Sequence, residues 1–247
     1  MSLRNRVAVV TGGSRGIGRG IALKLAHEGA RIAIAYRVNK AAAQMTLLQL
    51  QAAGADCVAV ETDITQPARA EQFIKTVADR YGRVDILVNN VGDFRWATLA
   101  ESAPEEWKSI FDSNVSTVFY MCRAALPLMR KQRWGRIINM GAVGAERAFG
   151  QAKISAYAAA KAAVVAMSRS LALEEAKNGI TVNVVNPSSI DEKDLTLEEA
   201  RKLRDARFPI GRPPTVEDVA AAIAFFASEE AEYVTGQVVN VSGGWML

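Results

Sequence analysis

Residues 7–18 read Val-Ala-Val-Val-Thr-Gly-Gly-Ser-Arg-Gly-Ile-Gly, and the fold follows from them. The first four are apolar and mostly β-branched, which predicts a buried strand. The glycines then turn the chain, and Ile17 to Leu25 carries the spacing of a helix packed on a sheet. Glycine suits such a turn because a phosphate can approach bare backbone and because positive φ costs it little. The helix behind it aims free N–H groups and its positive dipole end at that phosphate. The spacing is Gly12-x-x-x-Gly16-x-Gly18, not the commoner Gly-x-Gly-x-x-Gly, so the nucleotide-binding reading rests on the strand before it and the helix after it. Ser14 is a hydrogen-bonding loop residue there, not a nucleophile.

The alternation continues outward. Helices are predicted over 16–28, 40–53, 67–81, 105–131, 155–177 and 216–228, and strands over 31–36, 56–61, 84–89, 136–140, 180–185 and 237–241. Strand alternating with helix builds right-handed βαβ units, hence an α/β fold. The expectation is one Rossmann-type, doubly wound parallel sheet of about seven strands, with helices on both faces. Residues 1–247 form one domain on this reading, with a charged, mobile helical lid within about 188–212. In such folds ligands gather at the carboxyl ends of the strands.

Composition narrows the function. Half of the 247 residues are apolar, 23% are charged, and the net charge is +4. That suits an anionic cofactor or substrate but is far from the dense basic stripe of a nucleic-acid binder. Cys57 and Cys122 show no metal or redox spacing, which favours a reducing compartment. No apolar run reaches a membrane span, and Met1–Arg4 leads into the first strand with no signal-peptide pattern, so the expected location is cytoplasmic. His27 is the only histidine, so no His-based triad can be assembled and no metal site is expected.

Several strand ends carry chemistry. Strand two ends at Tyr36-Arg37 with no acid to hold a ribose 2′-hydroxyl, and Arg15 adds a second guanidinium; this favours NADP over NAD. Asp63 either receives an adenine amino group or caps the turn before Pro67. Asn89-Asn90-Val91-Gly92 ends strand four, its amides orienting backbone, cofactor or both. Tyr157 and Lys161 sit four apart on one helix face, where an ammonium lowers a phenol's pKa from about 10 and makes it a usable proton donor.

With Thr11-Gly-x-x-x-Gly16-x-Gly18, Asp63, Asn89-Asn90-x-Gly92, Asn114, Tyr157-x-x-x-Lys161, Asn186-Pro187 and Thr235-Gly236-Gln237 through Ser242-Gly243-Gly244, the chain resembles a short-chain dehydrogenase/reductase over its whole length. Pro209-Ile210-Gly211-Arg212 and the C-terminal run are most similar to the 3-oxoacyl-(acyl-carrier-protein) reductase branch. The resemblance implies hydride transfer between NADPH and a carbonyl, probing a small-molecule or acyl-thioester substrate. Tyr157 then donates the proton, Lys161 lowers its pKa and holds the nicotinamide ribose, and Asn114 kinks its helix and holds a relaying water. Arg15 and Arg37 clamp the 2′-phosphate. Gly12, Ser14, Gly16, Ile17, Gly18, Asp63, Ile64, Asn90, Gly92, Pro187, Ser188 and Ile190 complete the implied cofactor set. A homotetramer, built through helices containing 111–128 and 156–172 and through the C-terminal segment, is also implied.

The chain departs from that pattern at three places. Ala142 stands where a catalytic Ser is expected, and no Ser or Thr occurs from 137 to 153. Loss of one oxyanion donor typically costs about two to three orders of magnitude in kcat. Pro187-Ser188 replaces Pro-Gly, and Glu192 replaces a hydroxyl. Ser188 is the better substitute donor, while Ser155, two residues before Tyr157, starts or caps the same helix and Ser189 lies near the same pocket. Arg95 and Trp96 either line the substrate cleft, meeting an anion and covering an apolar chain, or pack a surface loop. Three readings follow: a 3-oxoacyl-type reductase, a reductase or dehydrogenase of another ketone, sugar or alcohol, and an NADP-binding pseudo-enzyme or partner subunit.

Overall fold

The computed structural model describes residues 2–191 and 194–246. Seven parallel strands form one sheet: β1 (Val7–Thr11), β2 (Arg31–Tyr36), β3 (Cys57–Glu61), β4 (Ile86–Asn89), β5 (Gly135–Met140), β6 (Ile180–Pro187) and β7 (Val238–Val241), in spatial order β3-β2-β1-β4-β5-β6-β7. The order reverses between β1 and β4, whose register pairs Val9 with Leu87 and opens a crevice at their carboxyl ends. Side chains alternate through the sheet. Ala8, Val10, Ile138 and Met140 enter one apolar layer, while Val7, Val9 and Ile137 enter the other.

Helices α1 (Gly16–His27), α2 (Lys40–Ala52) and α8 (Val216–Ala227) feed the first layer. α1 and α8 touch so closely that a Cβ on Gly20 would lie 2.1 Å from Val216 Cγ1. The second layer is covered by α3 (Pro67–Tyr81), α5 (Thr117–Gln132) and α6 (Ser155–Glu175). Elements end where local chemistry dictates: Pro67 opens α3, Gly82 closes it in the left-handed region, and Thr215 and Asp218 cap α8 reciprocally.

Two predicted stretches differ. The helix expected over 105–131 is α4 (Pro104–Phe111) and α5, joined by a π-helical turn over Asp112–Ser116. The expected lid contains one short helix, α7 (Leu197–Ala200); turns and bends make up much of what surrounds it among the described residues. Arg19 of α1 forms an ion pair with Asp194 at the head of this segment. Arg207 pairs with Asp191 at 2.9 Å and Asp205 at 2.7 Å.

Candidate active site

At the carboxyl end of β1, Gly12 and Gly16 have φ of +63° and +53°, and a Cβ on Gly18 would lie 2.3 Å from the Gly12 carbonyl oxygen. Only bare backbone fits this turn. Arg15, at the N-cap of α1, makes no side-chain cap, and the first turn holds no acid. By contrast, the N-cap Asn39 of α2 accepts a hydrogen bond from Ala42 N at 2.9 Å. The amino end of α1 is thus left open to an anion. It faces a cleft of about 760 Å³ that brings together Gly12, Ser14, Arg15, Gly16, Ile17, Gly18, Arg37, Asp63, Ile64, Asn90 and Gly92. Arg15 and Arg37 have no carboxylate partner among the described residues, although both line the cleft.

Two cleft residues also serve the backbone. Asp63 Oδ1 accepts from Thr65 N at 3.1 Å and Thr65 Oγ1 at 2.7 Å, so its carboxylate closes the turn before Pro67. Asn90 Nδ2 donates to Thr11 O at 3.0 Å, and Thr11 Oγ1 accepts from Asn90 N at 2.9 Å. The β1 and β4 ends are thereby knitted together.

Behind Gly92 lie the acid–base candidates. Asn114, in the π turn, is fully buried; its Nδ2 donates to Asp93 O at 2.8 Å and Ile110 O at 3.0 Å, while its Oδ1 has no partner. A Cβ on Gly92 would meet that Oδ1 at 2.3 Å and Lys161 Nζ at 3.4 Å, which puts both groups against the cleft wall. Lys161 Nζ donates to Met140 O at 2.7 Å and lies 5.5 Å from the centroid of the Tyr157 ring. Burial pulls the ammonium down to about 8 and pushes the phenol up to about 12. This reverses the direction expected for Tyr157, because desolvation of the phenolate outweighs any attraction to the amine.

A buried polar chain was not legible in the sequence: Asn89 Nδ2 donates to Asn139 Oδ1 and Asn139 Nδ2 to Ser168 Oγ, both at 2.8 Å. The other missed group is Glu146, whose carboxylate accepts from Asn186 Nδ2 and Asn240 Nδ2, each at 3.0 Å. It pins the loop after β5 to the ends of β6 and β7. Asparagines inside apolar strands were the only available signal for either cluster.

Ala142 lies two residues beyond the end of β5, after Gly141, and its carbonyl accepts from Ala145 N at 3.0 Å. Among the described residues, none of the hydroxyls considered as its substitute, Ser155, Ser188 and Ser189, is hydrogen-bonded to Ala142. Ser188 Oγ is buried without a partner, shut away from solvent. Ser189 Oγ donates to Asp191 Oδ1 at 2.9 Å, and Ser155 is the exposed first residue of α6, where Ile154 and not Ser155 is the N-cap. Pro187 ends β6, and the Ile190 side chain enters the apolar layer, so neither lines the cleft described above. Glu192 lies outside the described residues. Arg95 is not a free cation: it pairs with Glu106 at 2.6 Å. Trp96 is half-exposed beside Phe94, which stands edge-on to Tyr157 with ring centroids 5.0 Å apart.

The chain is similar to known proteins over nearly its whole length. The family described as enoyl-(acyl carrier protein) reductase matches residues 12–246. The 3-oxoacyl-(acyl-carrier-protein) reductase FabG of Escherichia coli (strain K12) is 42% identical over 255 aligned positions, covering 100% of both chains. The protein of that name from Staphylococcus aureus (strain Mu50 / ATCC 700699) is 39% identical, covering 97% of this chain and 98% of its own. Among solved structures, acetoin dehydrogenase YohF from Salmonella typhimurium superposes with a TM-score of 0.86 at 33% identity, covering 98% of this chain and 96% of its own.

Proposed function

We propose, for a chain that belongs to the short-chain dehydrogenase/reductase family and is an oxidoreductase of the FabG type, that it reduces a carbonyl with NADPH. The observation that carries the reading is that Asn114 and Lys161 meet at Gly92, on the wall of a glycine-turned cleft, with the Tyr157 ring centroid 5.5 Å from Lys161 Nζ. The open amino end of α1 and the bare Gly12–Gly18 turn fit a pyrophosphate. Unpaired Arg15 and Arg37 fit a 2′-phosphate. The nicotinamide, when bound, supplies the hydride. Tyr157, held protonated by burial, donates its proton to the carbonyl oxygen as charge develops there. Lys161, fixed on Met140 O, holds a positive end near the phenolate that remains. Asn114 holds the π turn and offers its unpartnered Oδ1 to a relaying water.

A 3-oxoacyl thioester is the substrate class that the relatives' names support. Ala142 favours one second reading, an NADP-binding protein without turnover. NADPH oxidation at 340 nm with an acetoacetyl thioester separates the two when native protein, Ala142→Ser and Tyr157→Phe are compared alongside NADPH binding by fluorescence. Native turnover of about 1–10³ s⁻¹, abolished in Tyr157→Phe with cofactor binding intact, is the expected result. A silent native protein that binds NADPH and gains activity in Ala142→Ser overturns the reductase reading. The exposed Phe119 on α5 and Leu173 on α6 support assembly through that face into the family's tetramer, which light scattering would count.

A further inference from the structure

Resting on carbonyl reduction at Tyr157, the geometry points to a subsite formed by Phe94 and Trp96 for a flat apolar group: the carbonyl compound carries an aromatic ring beside the reacting centre. Phe94 meets Tyr157 at an interplanar angle of 83°, and Trp96 follows with its ring centroid 6.0 Å from that of Phe94. Three rings therefore run outward from the proton-donating phenol. Phe94 is 55% and Trp96 54% exposed, so each leaves about half of its surface uncovered, Phe94 while in contact with the Tyr157 ring.

The loop that carries the rings is fixed to the site. Asp93 N donates to Ser113 Oγ at 3.2 Å, Asp93 O accepts from Asn114 Nδ2 at 2.8 Å, and Ala97 N donates to Lys153 O at 2.8 Å. Arg95, between the two aromatics, is neutralised by Glu106, so the rim offers ring faces without a free guanidinium. A cationic ligand is disfavoured because the Lys161 ammonium lies beneath the Tyr157 ring. What remains is a neutral ring, which aromatic side chains take in offset or edge-on arrangements at centroid distances of about 4.5–7 Å. A flexible aliphatic chain gains contact area there but none of that directional preference.

The test uses the full chain loaded with NADP⁺ and two thioesters of N-acetylcysteamine, 3-oxo-3-phenylpropanoyl and 3-oxobutanoyl, which differ only in phenyl against methyl. Calorimetry should show the phenyl compound bound at least about threefold to tenfold more tightly. Phe94→Ala and Trp96→Ala should each erode that ratio by a similar factor, Phe94→Tyr should restore it, and the NADPH dissociation constant should not move. Equal binding of the two thioesters by the native protein overturns the inference, as does a Phe94→Ala variant that weakens both alike. Preferential phenyl binding without NADPH oxidation would instead overturn the reductase reading and leave the subsite standing.

Discussion

Gly92→Ala tests whether the candidate site depends on close approach of backbone to Asn114. The new methyl would lie 2.3 Å from Asn114 Oδ1 and 3.0 Å from its Cγ, about 1 Å short of ordinary contact. Asn114 cannot yield cheaply, since it is fully buried and its Nδ2 holds both Asp93 O and Ile110 O. Overpacking typically costs about 1–3 kcal/mol, and a buried polar group left unsatisfied costs about as much again. We expect Gly92→Ala to lose about 2–4 kcal/mol, seen as a Tm lowered by roughly 5–15 °C. Misplacement of a catalytic group by about 1 Å can cost about 100-fold in turnover, which NADPH oxidation at 340 nm reads directly. Gly92→Ala combined with Asn114→Ala removes the opposing oxygen, so stability should partly recover while turnover does not. A Gly92→Ala protein within about 0.5 kcal/mol of native and with native kcat would refute the reasoning, and so would strictly additive stability losses in the double variant.

Other expectations follow from the same geometry. Arg37→Asp should weaken NADPH binding by about tenfold or more relative to NADH, because it replaces a cation lining the cleft with a repelling carboxylate; equal effects on both cofactors would remove the 2′-phosphate assignment. Lys161 is pulled from 10.5 to about 8, so between those values the unfolded chain binds the extra proton and stability rises with pH, by up to about 3 kcal/mol. Tyr157, raised to about 12, opposes this above pH 10, so the readout is native protein against Lys161→Met in urea unfolding; a difference that stays flat from pH 7.5 to 10 would contradict the shift. Arg136 is buried, donates to Ser228 O at 3.1 Å and Gly135 O at 3.0 Å, and stacks 4.3 Å from the Trp134 ring centroid. Arg136→Ala should therefore cost about 2–5 kcal/mol in chemical unfolding, and a loss under 1 kcal/mol would show those contacts to be idle.

The sheet and its glycine turn were legible because they rest on local rules: period-two and continuous apolar strands, a glycine where backbone must be bare, and helices closed by Gly82 or opened by Pro67. Tyr157 and Lys161 were legible not from their spacing alone but from it together with Thr11–Gly18, Asn89–Gly92 and Asn114, and Lys161 Nζ lies 5.5 Å from the Tyr157 ring centroid. The π turn at Asn114 agrees with the kink that the family resemblance assigns to that residue, but the apolar pattern of 105–131 alone does not reveal it, because no glycine or proline stands near 114 to mark a break. The direction of the Tyr157 shift escaped for a different reason. Spacing shows that an amine is near but not how much water the fold removes from around the phenol. Glu146 with Asn186 and Asn240, and Arg95 with Glu106, are partnerships that only the tertiary fold creates.

β5 joins two different regimes. Arg136 at its start and Trp134 just before it pack with Arg6, whose guanidinium lies 3.7 Å from the indole centroid, while Met140 at its finish accepts a hydrogen bond from Lys161 Nζ. The six residues of β5 span about 20 Å, well beyond the range at which substitutions usually couple. Segments of the carboxyl-edge loops that leave Asp93 and Glu146 in place, residues 94–103 or 147–154, are thus the ones to exchange for segments with another preference, while the opposite edge keeps the scaffold folded.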